Sequence, residues 1–395
     1  MHQFKLRNQF RVINQIFYLA NLFILIQYCH LKPNTYVMKK LKYSDFTRLA
    51  QDIKALGKKH GFQEVKVASL ELNEANHRLR AWLKRGFHGS MGYMAQNLDK
   101  RAHPAKLHPG TVRVITVRLD YLPHDDHSTK TLQQKNQAYI ARYALGRDYH
   151  KVIRKKLTQL AKLIEQQIGP FGYRAFTDSA PILERALAAN SGLGWIGKNT
   201  MLINRKAGSW FFLGELYTDL PLPTDERTSA HCGSCSACIS ICPTKAIVAP
   251  YQLDARKCIS YLTIENKGSI PIQYRKAMGN RIFGCDDCQI ICPWNKFAKH
   301  TKETDFKPRH QFHHIELLTL FNWDEATFLN NTAGSAIRRT GYIGWLRNIA
   351  VALGNAPRSN NIITALENRL SYPNEIVVEH VKWALAEQQK KDDRH

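Results

Sequence analysis

Apolar residues recur at steps of three and four over residues 44–60 and 74–86, the spacing of one buried face on a helix. Between them QEVKVASL (Gln63–Leu70) alternates apolar and polar positions as a strand does. VRVITVRLDYL (Val112–Leu122) predicts a longer strand, and HKVIRKKLTQLAKLIEQQIG (His150–Gly169) a long basic amphipathic helix. YRAFTDSAP predicts a short strand ending at Asp178, followed by a helix over ILERALAAN. INRKAGSWFFLGELYTDL (Ile203–Leu220) reads as a hairpin turning at Ala207-Gly208. This alternation, running to about Leu220, predicts an α/β domain. PLPTDE (Pro221–Glu226) is a proline-punctuated linker. From Phe312 the pattern is helical to the end: WLRNIAVALGN, NNIITALENRL and NEIVVEHVKWALAEQ predict short amphipathic helices joined by turns, a HEAT-like pair.

Charge changes this picture more than size does. The 395 residues suffice for two or three domains, and 44% hydrophobic content is ordinary for a folded protein. The balance of 57 Lys+Arg against 32 Asp+Glu is not ordinary, and a formal charge of +25 favours a polyanionic partner such as nucleic acid. The apolar stretch IFYLANLFILIQYC (Ile16–Cys29) is too short for a comfortable membrane span, and no small-residue cleavage site follows it. MKKLKYSDF, from Met38, reads as a start leading into the first helix, so residues 1–37 are expected to be an upstream extension. Starting there removes Cys29.

The other eight cysteines lie between Cys232 and Cys292, a clustering that points to metal in a reducing compartment. HCGSCSACISICPTKAI carries Cys232, Cys235, Cys238 and Cys242 in the C-x2-C-x2-C-x3-C-P run of bacterial ferredoxins, whose fourth cysteine serves the other cluster. GCDDCQIICPW adds Cys285, Cys288 and Cys292, and ARKCISYL adds Cys258. The expected sets are Cys232, Cys235, Cys238 and Cys292 on one 4Fe–4S cluster, and Cys242, Cys258, Cys285 and Cys288 on the other. A pair of zinc sites would favour isolated C-x2-C pairs, which these runs are not. No P-loop or nicotinamide fingerprint appears, and GLGWIGKN resembles a phosphate loop only loosely.

Taken together, RYALGRDYHK (Arg142–Lys151), TDSAPILERALA (Thr177–Ala188), GLGWIGKNTMLINRKAGSWFFLGEL (Gly192–Leu216), CISYLTIE (Cys258–Glu265) and GNRIFGCDDCQIICPWN (Gly279–Asn295) resemble the epoxyqueuosine reductases. The resemblance runs from about Met38 to the C-terminus. It implies a cytoplasmic, monomeric oxidoreductase without stable membrane association. The implied reaction is reduction of the epoxide of epoxyqueuosine to queuosine at the tRNA wobble position. The implied cofactors are cobalamin beside two 4Fe–4S clusters, fed by a flavodoxin- or ferredoxin-type donor. The implied layout is an extension (1–37), an α/β cobalamin-binding domain (38–225), a ferredoxin-like two-cluster domain (226–300) and a helical, tRNA-binding HEAT-like module (301–395). The reductive dehalogenases share this cofactor set but are exported, and KLRNQFRV contains no twin-arginine leader. A two-cluster electron carrier would not need the α/β domain.

The resemblance makes Asp178 the proton donor, with a pKa expected to be raised by burial against the corrin, and Tyr143 a second pocket residue. Lys198, Leu202, Leu213 and Ser260 are expected at the cobalamin. Arg275, Lys276, Arg281, Lys296 and Lys299 around the clusters, with Arg338, Arg339 and Arg347 in the helical segment, are the expected phosphate contacts.

Overall fold

The computed structural model describes residues 43–124 and 128–391; the expectations for Met38, Cys29 and residues 1–37 lie outside the described residues. The first half is built on helix α1 (Tyr43–Lys59), strand β1 (Glu64–Ala68), helix α2 (Asn73–Lys84), strand β2 (Arg113–Asp120), helix α3 (Tyr149–Ile168), strand β3 (Tyr173–Phe176), helix α4 (Glu184–Asn190) and strand β4 (Phe211–Thr218). The strands form one sheet in the order β1–β2–β4–β3, and every neighbouring pair is antiparallel.

That corrects the α/β expectation. Alternation along the chain suggested crossovers in a parallel sheet, but β4 returns from the far end of the segment and inserts between β2 and β3. The expected hairpin at Ala207-Gly208 also fails. Asn204 and Gly208 form only an isolated bridge, Leu202–Ile203 pairs back with Trp195–Ile196, and β4 pairs with β2 over its full length. β4 gains more from burying both faces inside the sheet than from a two-stranded ribbon.

Helix α3 covers the sheet. Ile153, Leu157, Leu160 and Ile164 share a core with Ile115 and Val117 of β2 and Leu216 of β4. The helix approaches β4 closely at Gly214, where an added Cβ would stand 2.7 Å from Ile153 Cγ2 and 3.0 Å from Leu157 Cδ1.

The cysteine-bearing segment follows, and within it helix α5 (Ile259–Ile264) starts directly after Cys258. Helices α6 (Gly341–Asn355), α7 (Asn360–Glu367) and α8 (Glu375–Gln389) close the chain, as the periodicity predicts. They are not packed only on one another. Trp345, Leu346 and Ile349 of α6 share a core with Ile282 and Phe283 and with Ala138, Ile140 and Leu145 from the first half. Two buried arginines fasten this joint. Arg347, 1% exposed, donates to the carbonyls of Leu262, Asn266 and Gly268. Arg275, also 1% exposed, donates to Ile270 O and to Glu379 of α8. Among the described residues no helix is long and apolar enough to cross a membrane.

Gly214→Ala is expected to destabilise the protein by about 1–3 kcal/mol, because its methyl must push α3 off the sheet. The midpoint of urea unfolding measures it; an unchanged midpoint would mean the helix yields freely.

Candidate active site and metal centres

The site begins where β3 ends. Thr177, buried, donates its hydroxyl to Leu213 O of β4, so the chain leaves the sheet at a fixed point. Asp178 then adopts a left-handed backbone (φ 51°), a conformation aspartate tolerates better than most residues. Its backbone N–H donates to Glu184 Oε2 at 3.0 Å. Its carboxylate receives the Tyr149 hydroxyl and lies 3.3 Å from His150 Nε2. Both partners come from the first turn of α3, capped by Asp148, which accepts from the His150 N–H (3.1 Å) and also stands 2.7 Å from His150 Nδ1. Tyr149 is locked by stacking on Phe212 of β4, with ring centroids 4.2 Å apart. Asp148, His150 and Asp178 therefore form a carboxylate–imidazole–carboxylate row.

Electrostatics follow from this row. Burial opposes a charge on His150, but hydrogen bonds to Asp148 and Asp178 outweigh it and raise its pKa to about 9. Burial likewise pushes Asp178 up, yet the hydrogen bonds from His150 and Tyr149, with His150 and Arg339 charges nearby, bring it down to about 2. This is opposite to the direction expected for a lone buried acid. Glu184 goes the other way, to about 8, through burial and the neighbouring Asp178 charge.

These groups open onto a cavity of about 1860 Å³. Tyr143, Leu202, Leu213, Ser260 and Arg339 line it as well, and so do Cys242, Cys258, Cys285 and Cys288. The other four cysteines, Cys232, Cys235, Cys238 and Cys292, border a separate cavity of about 50 Å³. The thiols sort in the same way by proximity. Burial raises Cys238, and its thiol neighbours are Cys232, Cys292 and Cys235. Burial raises Cys288, whose neighbours include Cys258, Cys242 and, across the gap between the sets, Cys238. Four soft donors gathered at the small cavity, and four more at one side of the large one, are the donor chemistry two iron–sulfur cubanes need.

Several expected residues stand elsewhere. Lys198 borders the small cavity rather than the large one, its ammonium donating to the carbonyls of Gly233 (2.6 Å) and Cys235 (2.8 Å). Arg275 and Arg347 are inside the protein, so they cannot meet a phosphate; a sequence shows a charge but not the carbonyls that will surround it. Arg281 is taken up by a two-pronged pair with Asp287, at 2.7 and 2.5 Å, beside Cys285. Lys276 is exposed and paired with Glu387; Lys296, Lys299 and Arg338 are exposed, and Arg339 reaches the cavity with Glu265 at 3.1 Å. Tyr149, His150 and Glu184 were not singled out from the sequence, although all three sit in stretches that carry the family resemblance. The signal available for His150 was the Asp-x-His spacing at the start of α3, where the N-cap Asp148 meets the histidine ring.

Comparison with known proteins agrees with this geometry. Residues 101–179 match the family described as epoxyqueuosine reductase QueG, DUF1730, and residues 231–295 match the 4Fe-4S double cluster binding domain. The epoxyqueuosine reductase of Pseudomonas aeruginosa is 58% identical over 342 residues, covering 86% of this chain and 95% of the relative. That of Escherichia coli is 53% identical over 344 residues, covering 87% and 90%. A crystal structure of epoxyqueuosine reductase with an epoxyqueuosine-modified tRNA-Tyr stem loop superposes with a TM-score of 0.81 at 25% identity, over 87% of this chain and 91% of that one. The Bacillus subtilis enzyme, captured with its catalytic aspartate loop swung out of the active site, gives 0.79 at 26% identity, with the same coverage. With identity above one half across nearly the whole length of its relatives, this chain belongs to the epoxyqueuosine reductase family.

Proposed function

We propose that this protein reduces epoxyqueuosine to queuosine at the wobble position of tRNA, with cobalamin in the large cavity and a 4Fe–4S cluster on each cysteine set. The observation that carries the reading is the meeting, in one cavity, of an acid-bearing row and four cysteine thiols. An electron-transfer module would have no use for such a cavity. Ligand pockets usually run to about 1,000 Å³, and this one is well beyond that, large enough for a corrin and a splayed nucleotide. Leu202 and Leu213 offer the apolar wall a macrocycle requires, and Ser260 a polar contact on the cluster side. Bound there, cobalamin supplies a low-valent metal able to pass electrons to the epoxide carbon.

The net change is epoxide plus two electrons and two protons to alkene plus water. The protein's own part is to bring the protons. In the open cavity the pair holds one proton, on His150, while Asp178 is ionised. Filling the cavity strips water from a half-exposed ion pair, and charge separation becomes costly. The proton then passes from His150 Nε2 to Asp178, and Asp178 delivers it to the epoxide oxygen. The acid is therefore the pair rather than Asp178 alone, which is how a carboxyl held low in the empty site still acts as a donor. Tyr149 holds the carboxylate by the same oxygen, Oδ2, that faces His150, and Tyr143, whose ring meets Tyr149 edge-on at 6.0 Å, lines the cavity too.

Residues 38–225 form the catalytic unit in this reading, residues 226–300 the two-cluster unit, and residues 301–395 a helical unit that contributes to the tRNA surface. The Cys232 set, where Cys235 is exposed, would hold the cluster within reach of a flavodoxin- or ferredoxin-type donor, and the Cys242 set would hold the one that faces the cavity. Exposed Lys276, Lys296, Lys299, Arg338 and Arg339 meet the phosphates. The substrate places the enzyme in the cytoplasm.

The direct test reconstitutes the protein anaerobically with iron, sulfide and cobalamin, reduces it, and adds tRNA from cells lacking the last queuosine step. Mass spectrometry of the nucleosides should show loss of one oxygen only when cobalamin is present; an intact epoxide at full cofactor occupancy overturns the proposal. Asp178→Asn should lower the single-turnover rate about 10²–10⁴-fold while visible absorbance of the clusters is kept. Cys288→Ser should remove about half of the bound iron, the share of one cluster in two. By NMR, the His150 ring should titrate near pH 9 in the empty protein. Asp148→Asn should move that titration down towards the ordinary value, since it removes a carboxylate that favours the cation.

A further inference from the structure

One acid does not complete this reaction. Breaking the first C–O bond needs a proton on the oxygen; breaking the second, so that the oxygen leaves as water, needs another. The row of Asp148, His150 and Asp178 holds one mobile proton, and its neighbours suggest where the other is kept. Glu184, at the start of α4, lines the same cavity and accepts the Asp178 N–H at 3.0 Å. Glu215, near enough for Glu184's charge to act on it, sits in the middle of β4, paired with Phe176 of β3 and Thr116 of β2. Glu215 is 0% exposed, and neither of its carboxyl oxygens has a hydrogen-bond partner among the described residues. A carboxylate in that position would cost several kcal/mol, so Glu215 is a neutral acid. The rest of β4 is apolar apart from its terminal Tyr217 and Thr218, and a buried acid without a partner in such a strand has no packing role that leucine would not fill better.

We propose that Glu184, backed by Glu215, is a proton-storing positioning residue: it holds the Asp178 backbone in place and reloads the Asp178 carboxylate with the second proton. This rests on the epoxide-reducing reading of the site. In the first half-step Asp178 gives the proton drawn from His150 to the oxygen as one C–O bond breaks. In the second, Glu184 passes its proton to the emptied Asp178, which hands it to the hydroxyl as the other C–O bond breaks and water leaves. The two electrons come singly from a low-potential flavin or iron–sulfur protein, and His150 and Glu184 each regain a proton from solvent through the cavity.

The titratable groups facing Glu184 are Asp178 in the loop, Tyr149 and His150 on α3, Arg185 beside it on α4 and the neutral Glu215 on β4. Burial and the Asp178 charge keep the Glu184 proton on; Arg185 and His150 oppose them. The balance, at about 8, places proton loss just above neutrality. The rate should therefore be sustained below that pH and fall as pH rises through it.

The experiment is a pH series of single-turnover rates for the reconstituted wild-type enzyme, Glu184→Gln and Glu184→Asp. Glutamine keeps an oxygen for the Asp178 N–H but stores no proton. Alongside, infrared spectra of the cofactor-free proteins follow the carbonyl band of a protonated carboxylic acid. The expected result is a Glu184→Gln rate at neutral pH lowered at least about 10-fold, without the alkaline fall, partial recovery in Glu184→Asp, and a wild-type infrared band that disappears near pH 8 and is missing from Glu184→Gln. A Glu184→Gln enzyme with the wild-type rate and alkaline fall, or a wild-type protein with no carboxyl titrating in that range, overturns the proposal. A wild-type enzyme that leaves epoxyqueuosine intact overturns the functional reading instead. The infrared titration decides the state of Glu184 in that case, and also if glutamine prevents folding.

Discussion

The site depends on the complete burial of strand β4. All eight of its residues are buried, between β2 and β3 within the sheet and beneath α3 on one face. Its backbone and side chains then fix the Asp148–His150–Asp178 row. Leu213 O holds Thr177 and with it the turn at Asp178. Phe212 is the platform on which Tyr149 stacks, which aims the start of α3 at that turn. Gly214 lets the helix come close enough for the aim to hold. A strand at the sheet edge could shift its register or fray, and the acid row would move with it.

The second constraint is the way the cysteine segment is bound into the rest of the protein. Its thiols come from three stretches of chain, and the loops that carry them contribute little core of their own. Rigidity is borrowed. Asp286, beside Cys285, accepts from the Tyr139 hydroxyl and the Arg142 N–H of the first half, while Arg347 and Asn348 of α6 hold the carbonyls of Leu262, Thr263 and Ile282. Charged side chains buried for such a purpose are costly unless each donor is matched, and here the guanidinium of Arg347 finds carbonyls all round. A few of the basic residues behind the surplus that suggested a nucleic-acid partner thus have internal duties, while Lys276, Lys296, Lys299, Arg338 and Arg339 remain exposed.

The acid chemistry shows why a pKa cannot be argued from one residue. Burial raises Asp178, as a lone carboxyl would be raised, yet two donors on α3 reverse the direction. The same ionised Asp178 then helps push Glu184 the other way. Neighbouring carboxyls with opposite protonation at neutral pH are the arrangement that lets one fold hold a base-form and an acid-form group side by side.

By itself the sequence determined the helices and most strands, the two ferredoxin-like cysteine runs and the family, because these rest on local spacing: a three-and-four apolar period, C-x2-C-x2-C-x3-C-P, TDSAP. Asp178 and the cysteines stood out in the sequence for the same reason. Strand order was decided only by tertiary structure, since β4 has no local mark that sends it between β2 and β3 instead of back along the hairpin. So was the fate of the arginines: Arg275 and Arg347 look like Arg338 until the carbonyls and Glu379 from distant segments close around them. Lys198 stands at the thiol loop because its ammonium follows the carbonyls of Gly233 and Cys235, which lie more than 30 residues away in the chain. His150 and Glu184 became functional candidates only when folding set them beside Asp178. A proton's position depends on neighbours in space, and spacing along the chain records only neighbours in sequence.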